Sequence, residues 1–290
     1  VPKISIFLIL AFGLSWAVAA YISNMGGFAE IGEVASVGGL MLFMMGPAIA
    51  AMGVSLMQKK RRLVDSLGFS GFKRHQILSW SLLGWAIPIV FTAAAIAISL
   101  WVGHQTWHDP IDVITAQLAS NNVEAPMTPR QLFWIQVGIG LPVGLLFNTV
   151  FLLISEELGW RGWLQTQLAG LGFWKMNLVI GVIWGVWHAP IILMGHNYGD
   201  LGYVGVLAMI ALTIALSPYL GLARERGGVI AAAALHGSVN AVGGVSVLLI
   251  PDASWPWNGL LGVGGLIVML AGWPIVQLVR RRRSHTLAAQ

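Results

Sequence analysis

Three short runs set ionisable or amide side chains into otherwise apolar sequence: Glu156-Glu157-Leu-Gly-Trp-Arg161, Trp184-Gly-Val-Trp-His188 and His236-Gly-Ser-Val-Asn240. Inside a membrane-spanning helix an ionisable group costs at least about 2.5–3.5 kcal/mol, so each run is a candidate for function by default. Residues four apart share a helical face, which lets Glu157 and Arg161 pair with the acid on the N-terminal side, the better orientation. Glu156 points about 100° away from Glu157 and is the less easily paired carboxylate, free to take a proton from water as a general base. His236 and Asn240, again four apart, put an imidazole and an amide on one face as two donors that could hold an oxyanion. His188 follows Trp184 by four residues, and Pro190 just beyond it loosens the local backbone bonding.

Each run also has a structural reading. Glu157 with Arg161 can be a snorkelling salt bridge at a helix end, and Asn240 can be a polar contact between helices. Trp184 and Trp187 read as packing or pocket wall. Glu156, His188 and His236 together resist that reading. His104 and His108, followed by Asp109, could clamp a metal only if that segment is helical. Ser238 lies two residues from His236 and is turned away from it, so a Ser–His pair is not expected. His75, His196 and His285 read as solvated. The chain has no His-Glu-x-x-His, Gly-x-Ser-x-Gly or Gly-x-Gly-Asp, and no cysteine, which removes thiolate nucleophiles and Cys-based metal sites.

The elements that must position these groups are membrane helices. Of 290 residues 57% are apolar and 9% charged, too few charges for a soluble domain and too apolar for a disordered chain. Eight stretches are long enough to cross about 30 Å of hydrocarbon, at 4–22, 34–57, 77–102, 132–164, 177–194, 202–222, 229–250 and 259–279. Pro142 is expected to kink the fourth. With the first span leaving the cytoplasm, every basic residue except Arg130 falls on the cytoplasmic side, and both termini face the cytoplasm. The net charge of +5 then reports topology and anionic lipid, not nucleic acid. The connection from Gly103 to Arg130 reads as a polar excursion, residues 284–290 as a frayed tail, and the first stretch as a span rather than a cleavable leader. The expectation is an all-α, polytopic membrane protein of about eight transmembrane helices, a single transmembrane domain over 1–290.

Depth decides whether the runs can meet. Counting from the cytoplasmic ends, His236 lies roughly 10 Å in and His188 and Asn240 roughly 16 Å. With Trp160 and Trp163 as headgroup anchors, Glu156 lies roughly 10 Å deep. All three runs fall in the cytoplasmic half of the bilayer.

Glu156-Glu157-x-x-x-Arg161, an aromatic four residues before His188, and His236-x-x-x-Asn240, in successive spans, resemble the CAAX protease and bacteriocin-processing family. The resemblance is strongest over 147–240. It implies an intramembrane endopeptidase in which Glu156 activates water with help from His188, His236 and Asn240 stabilise the oxyanion, and Glu157 and Arg161 brace the site. The family pattern usually has Phe where this chain has Trp184, which bears on pocket shape. Glu156, His188 and His236 could instead ligate zinc, with water in the fourth position. The implied partners are a peptide or protein substrate, lipidated in some family members, and membrane lipid, in a bacterial or archaeal cell membrane. Two competitors stand beside this reading: a proton- or ion-coupled transporter using Glu156, His188 and His236 as a relay, and a non-catalytic immunity protein. The polar groups stop near mid-membrane, which favours a one-sided hydrolytic pocket.

Overall fold

The computed structural model describes residues 2–57 and 63–288, the side chains of 2 and 282–288 excepted. The basic loop 59–62 and the last residues of the expected tail, 289–290, lie outside them. The fold is all-helical. Among the described residues six helices are long and apolar enough to cross a membrane: α1 (Lys3–Asn24), α2 (Glu33–Leu56), α3 (Arg74–Trp101), α4 (Pro129–Leu171), Tyr203–Leu249 and Val263–Arg281. Between α4 and Tyr203 lies a shorter apolar helix, α5 (Phe173–Trp187).

Six is fewer than the eight stretches counted in sequence, and two local features account for the difference. Fifteen residues make α5 too short on its own; a tightened turn at His188 separates it from Ala189–Leu193, because Pro190 cannot continue the backbone ladder. Tyr203–Leu249 is longer than one crossing and breaks at Gly228, whose φ of 80° and ψ of −177° are reached essentially only by glycine. The chain doubles back there. Ser217 and His236 are 19 residues apart, roughly 28 Å along a straight helix, yet both bond to the same Glu157–Arg161 pair. The arms are α6 (203–227) and α7 (229–249), and Val263–Arg281 is α8.

The loop expected between those arms is absent: helix continues through Arg224 and Arg226 up to the single glycine. Gly228→Ala is therefore expected to cost about 1–3 kcal/mol from left-handed strain. Gly244 has φ −74° and nothing within 4 Å of an added Cβ, so Gly244→Ala is the neutral control. Thermal unfolding in detergent compares the two.

Where α5 meets α6, an added Cβ would lie 2.7 Å from the Ile214 Cα at Gly181 and 2.5 Å from the Ile210 Cα at Gly185. The two glycines, four apart, let the backbones touch, and Thr213 Oγ1 donates across the contact to the Gly181 carbonyl at 2.9 Å. This contact fixes where Trp184 and His188 stand.

The centre of the molecule is the second half of α4. Leu153–Leu164 is a π-helix, and every residue from Ser155 to Leu164 is buried. So long a wide-coiled stretch is rare, since π geometry usually occurs as single turns at functional sites. It is held from all sides. Gly159 abuts Pro47 of α2, and Gly162 abuts the Leu67 carbonyl. Trp160 and Trp163, expected as headgroup anchors, are instead fully buried against Phe7 of α1, at ring separations of 5.7 and 4.8 Å. At Pro142 the strain is absorbed by a π-turn over Gln136–Gly140, which lets Leu141 bond back to Gln136.

The connection from Gly103 to Arg130 holds a helix, Pro110–Ser120, begun by Pro110 at its first position and by the Asp109 side chain accepting from Ile111 N–H at 2.8 Å. Asp109 is thus a helix cap. His108 Nε2 lies 3.0 Å from Asp252, and His104 sits in a left-handed turn, so the helical His104–His108 clamp does not form.

Candidate active site

The π-helix carries Glu156, Glu157 and Arg161 into the protein interior. Both carboxylates and the guanidinium are at most 2% exposed. Arg161 Nη1 donates to Glu157 Oε1 at 3.0 Å, and Nη2 donates to Ser217 Oγ of α6 at 3.2 Å. The pair expected from spacing is present, but buried at the centre rather than snorkelling. Glu157 Oε1 also accepts from His236 Nδ1 of α7 at 2.8 Å. An ionised carboxylate can only accept, so the proton of this bond sits on Nδ1 and the ring presents Nε2 to the site.

Glu156 stands apart from that pair. Its Oε2 accepts from two indoles, Trp184 Nε1 at 2.7 Å and Trp160 Nε1 at 3.3 Å. Its Oε1 takes no hydrogen bond from the described residues. Trp184, read from sequence as wall, connects the cluster. Its carbonyl accepts from His188 Nδ1 at 2.8 Å, which again leaves Nε2 facing outward from that bond. Its ring faces the Arg161 guanidinium at 4.5 Å and meets the His236 ring edge-to-face at 4.9 Å. His188 can take that carbonyl because its own N–H is diverted to Gly185 at the tightened turn before Pro190.

The structure thus brings Glu156, Glu157, Arg161, Trp184, His188 and His236 into one connected group. Asn240, one turn beyond His236, is exposed at its edge, with no hydrogen bond among the described residues. Ser238 is engaged elsewhere, donating to the Trp85 carbonyl at 2.8 Å. His196 is half-buried against Phe28 instead of solvated, and burial pushes its imidazole below the ordinary histidine value.

Two partners escaped the sequence. Trp160 lies four residues after Glu156, a spacing that could have revealed it as a donor. Ser217 lies 56 residues from Arg161 in an apolar run, and nothing local marks it.

The zinc reading can be tested on the donor set. Among the described residues no three of His, Asp and Glu gather as a metal-holding group. Glu156 Oε2 is committed to two N–H donors and each imidazole has its Nδ1 engaged, which leaves Glu156 Oε1 and the two Nε2 atoms as the donor atoms a metal could use.

Residues 138–242 match a family model described as type II CAAX prenyl endopeptidase Rce1-like, a segment that begins before the π-helix and ends just past Asn240. Over this segment the chain is similar to the CAAX prenyl endopeptidases. No curated protein matches the chain. The family segment contains every residue of the buried cluster, from Glu156 to His236. The parts of α1 and α2 that wrap it, including Phe7 and Pro47, lie outside.

Within the cluster Trp184 can be tested directly. Trp184→Phe keeps the ring that faces Arg161 and leaves the Trp160 donor on Glu156, but removes the 2.7 Å bond. A hydrogen bond to a charged group contributes about 1.5–3 kcal/mol, so kcat is expected to fall about tenfold to a hundredfold, with KM nearly unchanged. Steady-state kinetics on a cleavable peptide reads this split; loss of all turnover would show that the bond does more than position Glu156.

Proposed function

We propose that this integral membrane protein is an endopeptidase that hydrolyses a peptide bond at the cytoplasmic half of the bilayer, with Glu156 as the base. One observation carries the reading: a buried carboxylate anchored through one oxygen by two indoles, its other oxygen unbonded, beside two imidazoles each oriented through Nδ1. Glu156 takes a proton from water as the oxygen attacks the scissile carbonyl, and His188 helps hold that water. The C–O bond forms, and negative charge develops on the former carbonyl oxygen. Asn240 donates to this oxyanion from its amide, and His236 donates from Nε2, its ring held through Nδ1 by Glu157. As the C–N bond breaks, Glu156 returns the proton to the leaving amine. Glu157, Arg161 and Ser217 hold His236 and Trp184 in place.

The orientation is part of the proposal, with eight crossings and both termini cytoplasmic. Exposed Tyr21, Trp101, Trp134 and Tyr203 lie at the helix ends assigned to the outer face, as an interfacial aromatic belt requires. Lys3, Arg74, Lys175, Arg224 and Arg280 lie at the opposite ends.

The substrate is a peptide or protein reaching the site from the bilayer or the cytoplasm. The experiment incubates the purified protein with lipidated and unlipidated peptides, with and without chelator. Cleavage that a chelator leaves intact is the expected result. Cleavage abolished by chelator and restored by zinc would replace the glutamate-only scheme, and cleavage confined to lipidated peptides would assign the substrate class.

A further inference from the structure

On the side of the molecule that carries the basic residues, the ends of α4, α5, α6 and α8 surround a cavity of about 350 Å3, outside the cluster described above. Its walls include Gln165, Phe173, Met176, Arg224, Glu225 and Arg280. Phe173 and Met176 are apolar, and the two arginines come from different helices. Arg280 donates to both oxygens of Glu225 at 2.9 and 3.2 Å and lies over the Phe173 ring at 3.8 Å, so its charge is matched inside the protein. Arg224 differs. Its Nε donates to the Arg161 carbonyl at 3.0 Å and its guanidinium lies 5.6 Å from the centre of the Phe72 ring, while its two Nη groups have no hydrogen-bond partner among the described residues.

A half-buried guanidinium with unused donors, lining a cavity, calls for an anion that accepts through more than one oxygen. The apolar floor and the position at four helix ends favour an anion attached to an apolar body. Basic pockets between membrane helices on the cytoplasmic side suit acidic headgroups.

We propose that this cavity binds the phosphate of an anionic phospholipid, with Arg224 as the principal donor and Phe173 and Met176 against the lipid's apolar part. Because Arg224 Nε holds the carbonyl of Arg161, a bound lipid braces the buried end of the π-helix from below. The lipid acts on the site through backbone position and not by touching substrate.

The test uses the full chain, exchanged into vesicles of phosphatidylcholine with and without phosphatidylglycerol, with retained lipid read by native mass spectrometry. Wild type is expected to retain phosphatidylglycerol over phosphatidylcholine, and Arg224→Gln to lower its affinity for phosphatidylglycerol about tenfold. Arg74→Gln, on the same side but outside the cavity, should retain it like wild type. Should Arg224→Gln fail to fold, Ala169→Asp places a carboxylate in the cavity wall without touching the Arg224 bonds, and is expected to weaken retention likewise. Equal retention by wild type and the folded cavity variants would overturn the site. Displacement of the lipid by inorganic phosphate or glycerol phosphate at matching concentration would show a free-phosphate site instead. The readout needs no turnover, so it stands whether or not the chain proves to be a peptidase.

Discussion

Glu156→Gln is expected to fold like wild type and to lose peptide hydrolysis on the order of a thousandfold, the share of a general base in such a reaction. The amide is isosteric and keeps an oxygen for the Trp160 and Trp184 N–H groups, so the local packing survives. It cannot accept the proton of an attacking water. The fall should lie in kcat, with KM little changed, because the substituted group contacts the water rather than the bulk of the substrate. Equal thermal unfolding of the two proteins establishes that the fold is intact. Equal cleavage would remove Glu156 as the base and with it the proposed reaction.

The second large effect is on stability. Arg161→Met removes the guanidinium bonded to Glu157, leaving a wholly buried carboxylate whose remaining bond among the described residues is to His236. Breaking a buried pair from one side costs about 3–5 kcal/mol, mostly the penalty of stranding the remaining charge. The pair is imperfect as it stands, since Glu157 Oε2 and Arg161 Nε are buried without partners. Removing both charges in Glu157→Gln/Arg161→Met should therefore recover most of the lost stability. Denaturant or thermal unfolding of the single and double variants in detergent forms the cycle. If the double variant is as unstable as the single, the charge is not what Arg161 compensates. Recovery of stability without recovery of turnover would show that the pair is needed to orient His236 and Trp184.

The side chains of the buried cluster were readable from sequence because ionisable groups are rare in these spans, and rarity made each conspicuous. Glu157 with Arg161 followed from helical spacing, whereas the depth given to Glu156 was counted from Trp160 and Trp163, which are buried in the protein. What escaped was long-range or geometric. Ser217 is an ordinary serine until the fold-back at Gly228 delivers it to Arg161. The donor role of Trp184 needed the distance to Glu156, since in a chain with fourteen tryptophans an indole reads as packing. Trp160 and Trp163 were misplaced because interfacial preference is a tendency of lipid-facing tryptophan, and a buried segment wrapped by α1 and α2 answers to packing instead. The expected loop after 222 failed because basic residues were read as a connection, whereas Arg224 and Arg226 bond to backbone carbonyls of Arg161 and Val279 and stay helical.

A turn made of one residue has a mechanical effect. With helix on both sides of Gly228 there is no slack between the arm bearing Ser217 and the arm bearing His236, so the two travel as one stiff hairpin. In the proposed reaction, a parting of the helices that admits the peptide would then lie along a seam other than this one, with His236 and Ser217 kept in register.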